Sequence, residues 1–102
     1  DDLGNSALHK AAANGHVGCV EALLAAGAKL EPNEKGNTPL HWAAENGQLG
    51  AVEALLRAPS ADVLARNSFG KGAITVALQA GYDDVYAKLL AHSSAGDLDG
   101  GA

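Results

Sequence analysis

The sequence predicts an all-α solenoid of stacked helix-turn-helix pairs, and three observations predict it. The segment Asn37-Thr38-Pro39-Leu40-His41-Trp42-Ala43-Ala44-Glu45-Asn46-Gly47 recurs at Asn5–Gly15, offset by 32 residues, and more loosely at Lys71–Gly81, offset by 34. Behind the first two copies lie aliphatic stripes at helical spacing: Val17, Val20, Leu23 and Leu24, then Leu49, Val52, Leu55 and Leu56. The apolar share of 47% is carried by Ala, Leu and Val, with one Trp, one Phe, two Tyr and no Met. Small side chains of this kind suit closely stacked helices better than a single bulky core. Units of this length hide only one face alone and must lean on their neighbours.

The period, together with Thr38-Pro39-Leu40-His41, resembles the ankyrin repeat, over about residues 1–92. The resemblance implies repeats over about 2–34, 35–67 and 68–92, each a hairpin-like finger followed by two antiparallel helices. Residues 93–102, His92 having ended the last repeat, read as a flexible tail or linker because Ser, Gly and Asp dominate them.

In the first repeat, Asp2-Leu3-Gly4-Asn5 ends a finger and Ser6 caps the helix that runs through Leu8 to Asn14. Gly15 stops it, since glycine tolerates the left-handed backbone beyond a helix end. Residues 28–37 form the first complete finger, with a polar tip at Asn33, Glu34 and Lys35. The second repeat is better specified: Thr38 caps, Pro39 takes the first helical position where a missing N–H is harmless, and Gly47 ends the helix. Its second helix must stop before Pro59. The second finger, Val63–Gly70, is apolar and basic instead, with Leu64, Arg66 and Phe69. The third repeat keeps Ile74, Ala77, Gly81, Leu89 and Leu90 but carries Gly72, Ala73 and Thr75 in place of Thr, Pro and His. With Asp83, Asp84 and Lys88 it reads as a more polar terminal cap.

The formal charge is −5, but Asp1, Asp2, Asp97 and Asp99 lie in the tails, which leaves the repeat body nearly neutral. No basic stripe exists for a phosphate backbone, so a nucleic-acid partner is not expected. No apolar run approaches the roughly 20 residues of a membrane span, and no cleavable leader is visible. Cys19 is the single cysteine, so no internal disulfide can form; beside Val20 it is expected to be a small, inert core residue. A soluble intracellular setting, cytoplasm or nucleus, is the expectation, and the chain is expected to be monomeric. With no Met, the first residue included, the chain is expected to be a fragment or a processed product.

Four histidines invite a metal, and no metal or cofactor is expected. In the ankyrin pattern the imidazoles of His9 and His41 bond backbone and the capping hydroxyls of Ser6 and Thr38, so Ser6, His9, Thr38, Pro39 and His41 are structural by resemblance. Equivalent residues of adjacent repeats stand on the order of 8–10 Å apart, too far to share one zinc at about 2.1 Å. His16 and His92 have no visible partner. No nucleophile elbow, no phosphate-binding G-x-x-x-x-G-K-[ST] loop and no H-E-x-x-H occurs, and Gly70-Lys71-Gly72 reads as a hairpin turn; catalysis is not expected.

Surface recognition remains. The resemblance implies binding of another protein through the finger tips and the concave face of the first helices. Position by position, that face comprises Lys10, Ala13 and Asn14, then Trp42, Glu45 and Asn46, then Val76, Gln79 and Ala80. Trp42 is expected as the anchor, because truncating such an aromatic often costs 2 kcal/mol or more; the competing reading packs it over the finger base. Arg66 and Phe69 extend the patch, unless Phe69 folds back to seal the stack, while Glu45, Asn46, Lys10 and Asn14 form its polar rim. Two other readings stand beside this one. The chain is the non-catalytic, substrate-positioning part of a larger enzyme, since Arg66–Leu90 weakly resembles the ankyrin portion of some protein methyltransferases; or it is a spacer in a longer array.

Overall fold

Ser6 and Thr38 each hold extended backbone immediately before a helix, and each side-chain oxygen accepts the N–H of a histidine three residues on, His9 and His41. In return each histidine ring accepts the capping residue's own N–H, so two of the donors left over at a helix start are satisfied reciprocally. These caps open α1 (Ala7–Ala13) and α3 (Pro39–Glu45) in a computed structural model that describes residues 6–58 and 61–101. The other helices are α2 (Val17–Ala25), α4 (Leu49–Leu56), α5 (Ala73–Ala80) and α6 (Asp83–Gly101). No strand occurs among the described residues; one isolated antiparallel bridge joins Arg66 to Gly72 at the base of the second finger. The finger end expected at Asp2–Asn5 lies outside the described residues, as do Pro59 and Ser60, although α4 does end at Leu56 with Arg57 as its C-cap.

The helices form two layers. α1 packs on α3 and α3 on α5 in the inner row, while α2 packs on α4 and α4 on α6 in the outer row. Alanines 12, 43, 44 and 77 are completely buried where the inner helices approach, and Val20, Val52, Leu55, Val85 and Leu89 fill the space behind them. Full burial of each such aliphatic side chain contributes about 1.5–3 kcal/mol. In the first two pairs the chain turns between the helices at a glycine that the next repeat covers, Gly15 by Gln48 and Gly47 by Tyr82. At Gly47, φ is +68° and the ring of Tyr82 lies where a side chain would project, so the position excludes one both by conformation and by space. Exposed ion pairs, Arg57 to Glu21 at 2.9 Å and Lys88 to Glu53 at 3.5 Å, tie successive outer helices across each repeat boundary.

Four expectations need correction. Cys19 is exposed, not buried, because it occupies the position that Ala51 and Val85 hold in later repeats, where each faces the preceding helix pair. Asn33 is buried and not part of a solvated tip: its Oδ1 accepts the N–H groups of Lys35 at 2.9 Å and Asn37 at 3.0 Å and so shapes the finger from inside. The third repeat does not end the stack with a polar face, since Leu64, Leu78 and Leu90 are exposed while Lys88 turns back to Glu53. Finally, helix continues to Gly101 through the stretch read as a linker. Once α6 is nucleated against α5, each added residue gains a backbone hydrogen bond without a new nucleation cost.

Candidate functional site

Two asparagines, 34 residues apart, build the fingers that border the inner face. Asn67 repeats what Asn33 does: its Oδ1 accepts the N–H groups of Phe69 at 2.9 Å and Lys71 at 3.1 Å. Its Nδ2 also donates to Asn37 Oδ1 at 2.9 Å, which locks the second finger onto the first. Ser68 adds a backbone and a hydroxyl bond to the Lys35 carbonyl, at 2.8 and 2.6 Å. Gly36 makes this approach possible, because a Cβ there would stand 2.9 Å from the Asn67 Cα and the Ser68 nitrogen. The fingers are therefore a stacked, hydrogen-bonded row.

The histidines tie helices to fingers. His9 Nε2 donates to the Asn37 carbonyl at 2.7 Å and His41 Nε2 to the Lys71 carbonyl at 2.8 Å, so each imidazole spans from its own cap to the next finger. Nδ1 stands 2.9 Å from Ser6 Oγ in the first case and 2.8 Å from Thr38 Oγ1 in the second. With Nε2 as donor to a carbonyl and Nδ1 as acceptor, both rings are neutral. Burial pushes both pKa values below the ordinary 6.5, partly offset by the carbonyl hydrogen bonds to Asn37 for His9 and to Lys71 and Ala65 for His41. Among the described residues no group of three or more His, Cys, Asp or Glu side chains is placed to hold a metal ion.

Between α3, α5 and the second finger lies an open cleft of about 430 Å³. Phe69 borders it from the finger with 70% of its surface exposed, so it does not fold back over the end of the stack. Glu45 and Lys71 supply opposite charges to its lining, and Val76, Gln79 and Ala80 of α5 complete it. It can accept an apolar group flanked by hydrogen-bonding and charged groups, and its polar side chains are not arranged around a nucleophile.

Of the residues singled out from sequence, the cleft gathers Glu45, Phe69, Val76, Gln79 and Ala80, together with the structural His41. Trp42 is not in its lining: the indole is half-buried and meets the His9 ring edge to face, so it packs towards the first repeat. Asn14 and Asn46 are exposed at helix ends, and their amides donate back to the carbonyls of Lys10 at 2.9 Å and Trp42 at 2.8 Å. Lys10 is exposed on α1, away from the cleft. Arg66 lies on the other side of the finger, where with Leu64, Gly70 and Ile74 it lines a separate hollow. Sequence reading missed Asn37, Asn67 and Lys71. The signal was present as Asn33-x-x-Gly36-Asn37 recurring as Asn67-x-x-Gly70-Lys71.

A family model described as ankyrin repeats, in three copies, matches residues 1–67. No curated protein matches the chain.

Proposed function

Because the chain belongs to the ankyrin-repeat family, whose domains are generally protein–protein interaction modules and typically non-catalytic, we propose that it holds a segment of a partner protein in the cleft beside Phe69. The observation that carries this reading is the exposed phenyl ring at the edge of an open cleft, with Glu45 and Lys71 on its walls. An aromatic side chain on a hydrogen-bonded finger offers large contact area at low entropic cost, and Glu45, Gln79 and Lys71 set the polar groups a partner must match. Trp42, Asn46, Lys10 and Asn14 continue the same inner face towards the first repeat and serve a longer partner segment. A partner that also reaches Arg66 has to wrap the finger tip.

No helix among the described residues is long and apolar enough to cross a membrane. A reducing compartment, cytoplasm or nucleus, suits the exposed thiol of Cys19.

Affinity capture with the 102-residue chain, run beside Phe69→Asp and Glu45→Lys, tests the proposal. Both positions are exposed, so both variants should melt like the parent. The same captured protein should be retained by the parent and weakened about thirtyfold or more by Phe69→Asp, the effect of losing an anchor of about 2 kcal/mol. Capture indifferent to both substitutions would remove the cleft from consideration.

A further inference from the structure

Asn14-Gly15 and Asn46-Gly47 occupy the same place in successive repeats, the turn between the two helices of a pair. The other asparagines, Asn5, Asn33, Asn37 and Asn67, precede Ser, Glu or Thr. Before glycine an asparagine amide is open to attack by the next backbone nitrogen, because no side chain shields that nitrogen or restricts its backbone. The nitrogen bonds to Cγ, the Cγ–Nδ2 bond breaks, and ammonia leaves with the proton of the N–H. Water then opens the five-membered imide at either carbonyl, which leaves aspartate or isoaspartate. Water is the only reagent, and both asparagines are exposed to it.

The folded chain holds both partners of that reaction. The angle ψ is −1° at Asn14 and 4° at Asn46, so each residue's own nitrogen eclipses the glycine nitrogen. The tetrahedral Cα then turns Cβ and Cγ out of the plane in which the ring would close. The amide that must depart donates to a carbonyl of its own helix, that of Lys10 at 2.9 Å for Asn14 and that of Trp42 at 2.8 Å for Asn46. The attacking N–H is engaged as well, Gly15 with the Ala12 carbonyl at 3.2 Å and Gly47 with that of Ala44 at 3.3 Å.

The next repeat closes each turn from outside. Forming the imide requires rotation about the asparagine Cα–C bond, which displaces a glycine packed under its cover. At Gly47 the cover is the Tyr82 ring, 2.6 Å from where a Cβ would stand. At Gly15 it is the Gln48 side chain, whose Nε2 also donates to the Ala13 carbonyl at 3.2 Å. The two covers are different residues, so each turn can be released separately.

We propose that Asn14 and Asn46 are deamidation sites held shut by the fold, each converted to aspartate or isoaspartate when its own turn opens. The product weakens the turn that protected it: the donor to the Lys10 or Trp42 carbonyl is gone, and a carboxylate stands at the negative end of a helix. Isoaspartate also lengthens the backbone by a methylene beneath Gln48 or Tyr82. Each conversion leaves a lasting negative charge at the end of an inner helix, at position 46 directly beside Glu45. This chemistry needs no partner and stands apart from the cleft beside Phe69.

The test is incubation of the 102-residue chain in buffer and in guanidinium chloride, at one pH and temperature, with mass spectrometry of its peptides and an isoaspartyl methyl-acceptor assay. Unfolded, Asn14 and Asn46 should convert ahead of the other asparagines. Folded, both should convert at least about tenfold more slowly, because only the opened fraction reacts. Tyr82→Ala should quicken Asn46 about threefold or more and leave Asn14 unchanged, and Gln48→Ala should do the reverse. If circular dichroism shows Tyr82→Ala unfolded, Gln48→Ala carries the test alone. A folded parent that reacts as fast as the unfolded chain overturns the proposal. So do folded variants that change neither site or quicken both together, since the turns would then open only with the whole chain. Conversion of other asparagines ahead of these two in guanidinium chloride overturns it as well.

Discussion

The His9 imidazole and the Trp42 indole meet edge to face, with ring centroids 5.4 Å apart and planes inclined by 76°. This contact bridges the first and second repeats, and it gives the single tryptophan a packing role before any partner arrives. Trp42→Ala is therefore expected to lower the unfolding free energy by about 2 kcal/mol, from lost burial and the lost aromatic pair. Trp42→Phe keeps a ring beside His9 and should cost less than about 1 kcal/mol. Urea unfolding followed by circular dichroism separates them; equal and negligible losses would show that the contact carries no stability.

Acid should weaken the fold through the two buried imidazoles. Their folded pKa values lie below the ordinary 6.5 because burial disfavours the charged ring. In the unfolded chain they take up protons near pH 6.5, so below that value the unfolded state binds more protons than the folded one. The contribution is complete above that pH, declines as pH falls towards the folded pKa values, and changes no further beneath them. Urea midpoints compared at about pH 7.5 and about pH 5.5 should fall with acid, and a His9→Gln, His41→Gln chain should show a flatter profile over the same interval. A midpoint that rises on acidification contradicts the neutral-ring assignment.

The third repeat has a defect that can be repaired. Gly72 is the N-cap of α5 and provides no side-chain bond, yet its φ of −84° is ordinary. A Cβ added there would meet the carbonyl oxygens of Ala65 and Val63 at 3.7 Å, normal contact distance. Gly72→Ser should raise stability by about 0.5 kcal/mol, through a new cap and a less flexible unfolded chain. Conversely Thr38→Ala should cost about 1 kcal/mol or somewhat more, since Thr38 is buried and bonded to His41. Thermal melts of the two variants should move in opposite directions.

Substitution inside the fingers should act at a distance on the cleft. Asn67→Ala removes the acceptor that orients the Phe69 and Lys71 amides and the donor to Asn37, and is expected to cost about 2 kcal/mol. Gly36→Ala should cost at least as much, since φ is +75° and the backbone of Asn67 and Ser68 leaves no room for a methyl group. Hydrogen exchange at the Phe69 and Lys71 amides should quicken in both variants before global unfolding. Unchanged exchange would mean that the fingers are held by something other than this row of bonds.

Periodicity in the chain was enough to specify the helix pairs, their order and the capping residues. Ser6, Thr38 and Pro39 act within a few residues of themselves, and the Val and Leu stripes have one solution at helical spacing. The partners of side chains that reach between repeats were not readable, because each depends on how closely two units stack. Trp42 turning to His9, Asn67 locking to Asn37 and Lys71 entering the cleft all follow from the stacking distance, which no local pattern encodes. Exposure at the ends follows the same logic. Cys19 and Leu78 occupy positions that neighbouring repeats bury, and whether such a position is core or surface is decided by the presence of the next repeat, not by the residue that fills it.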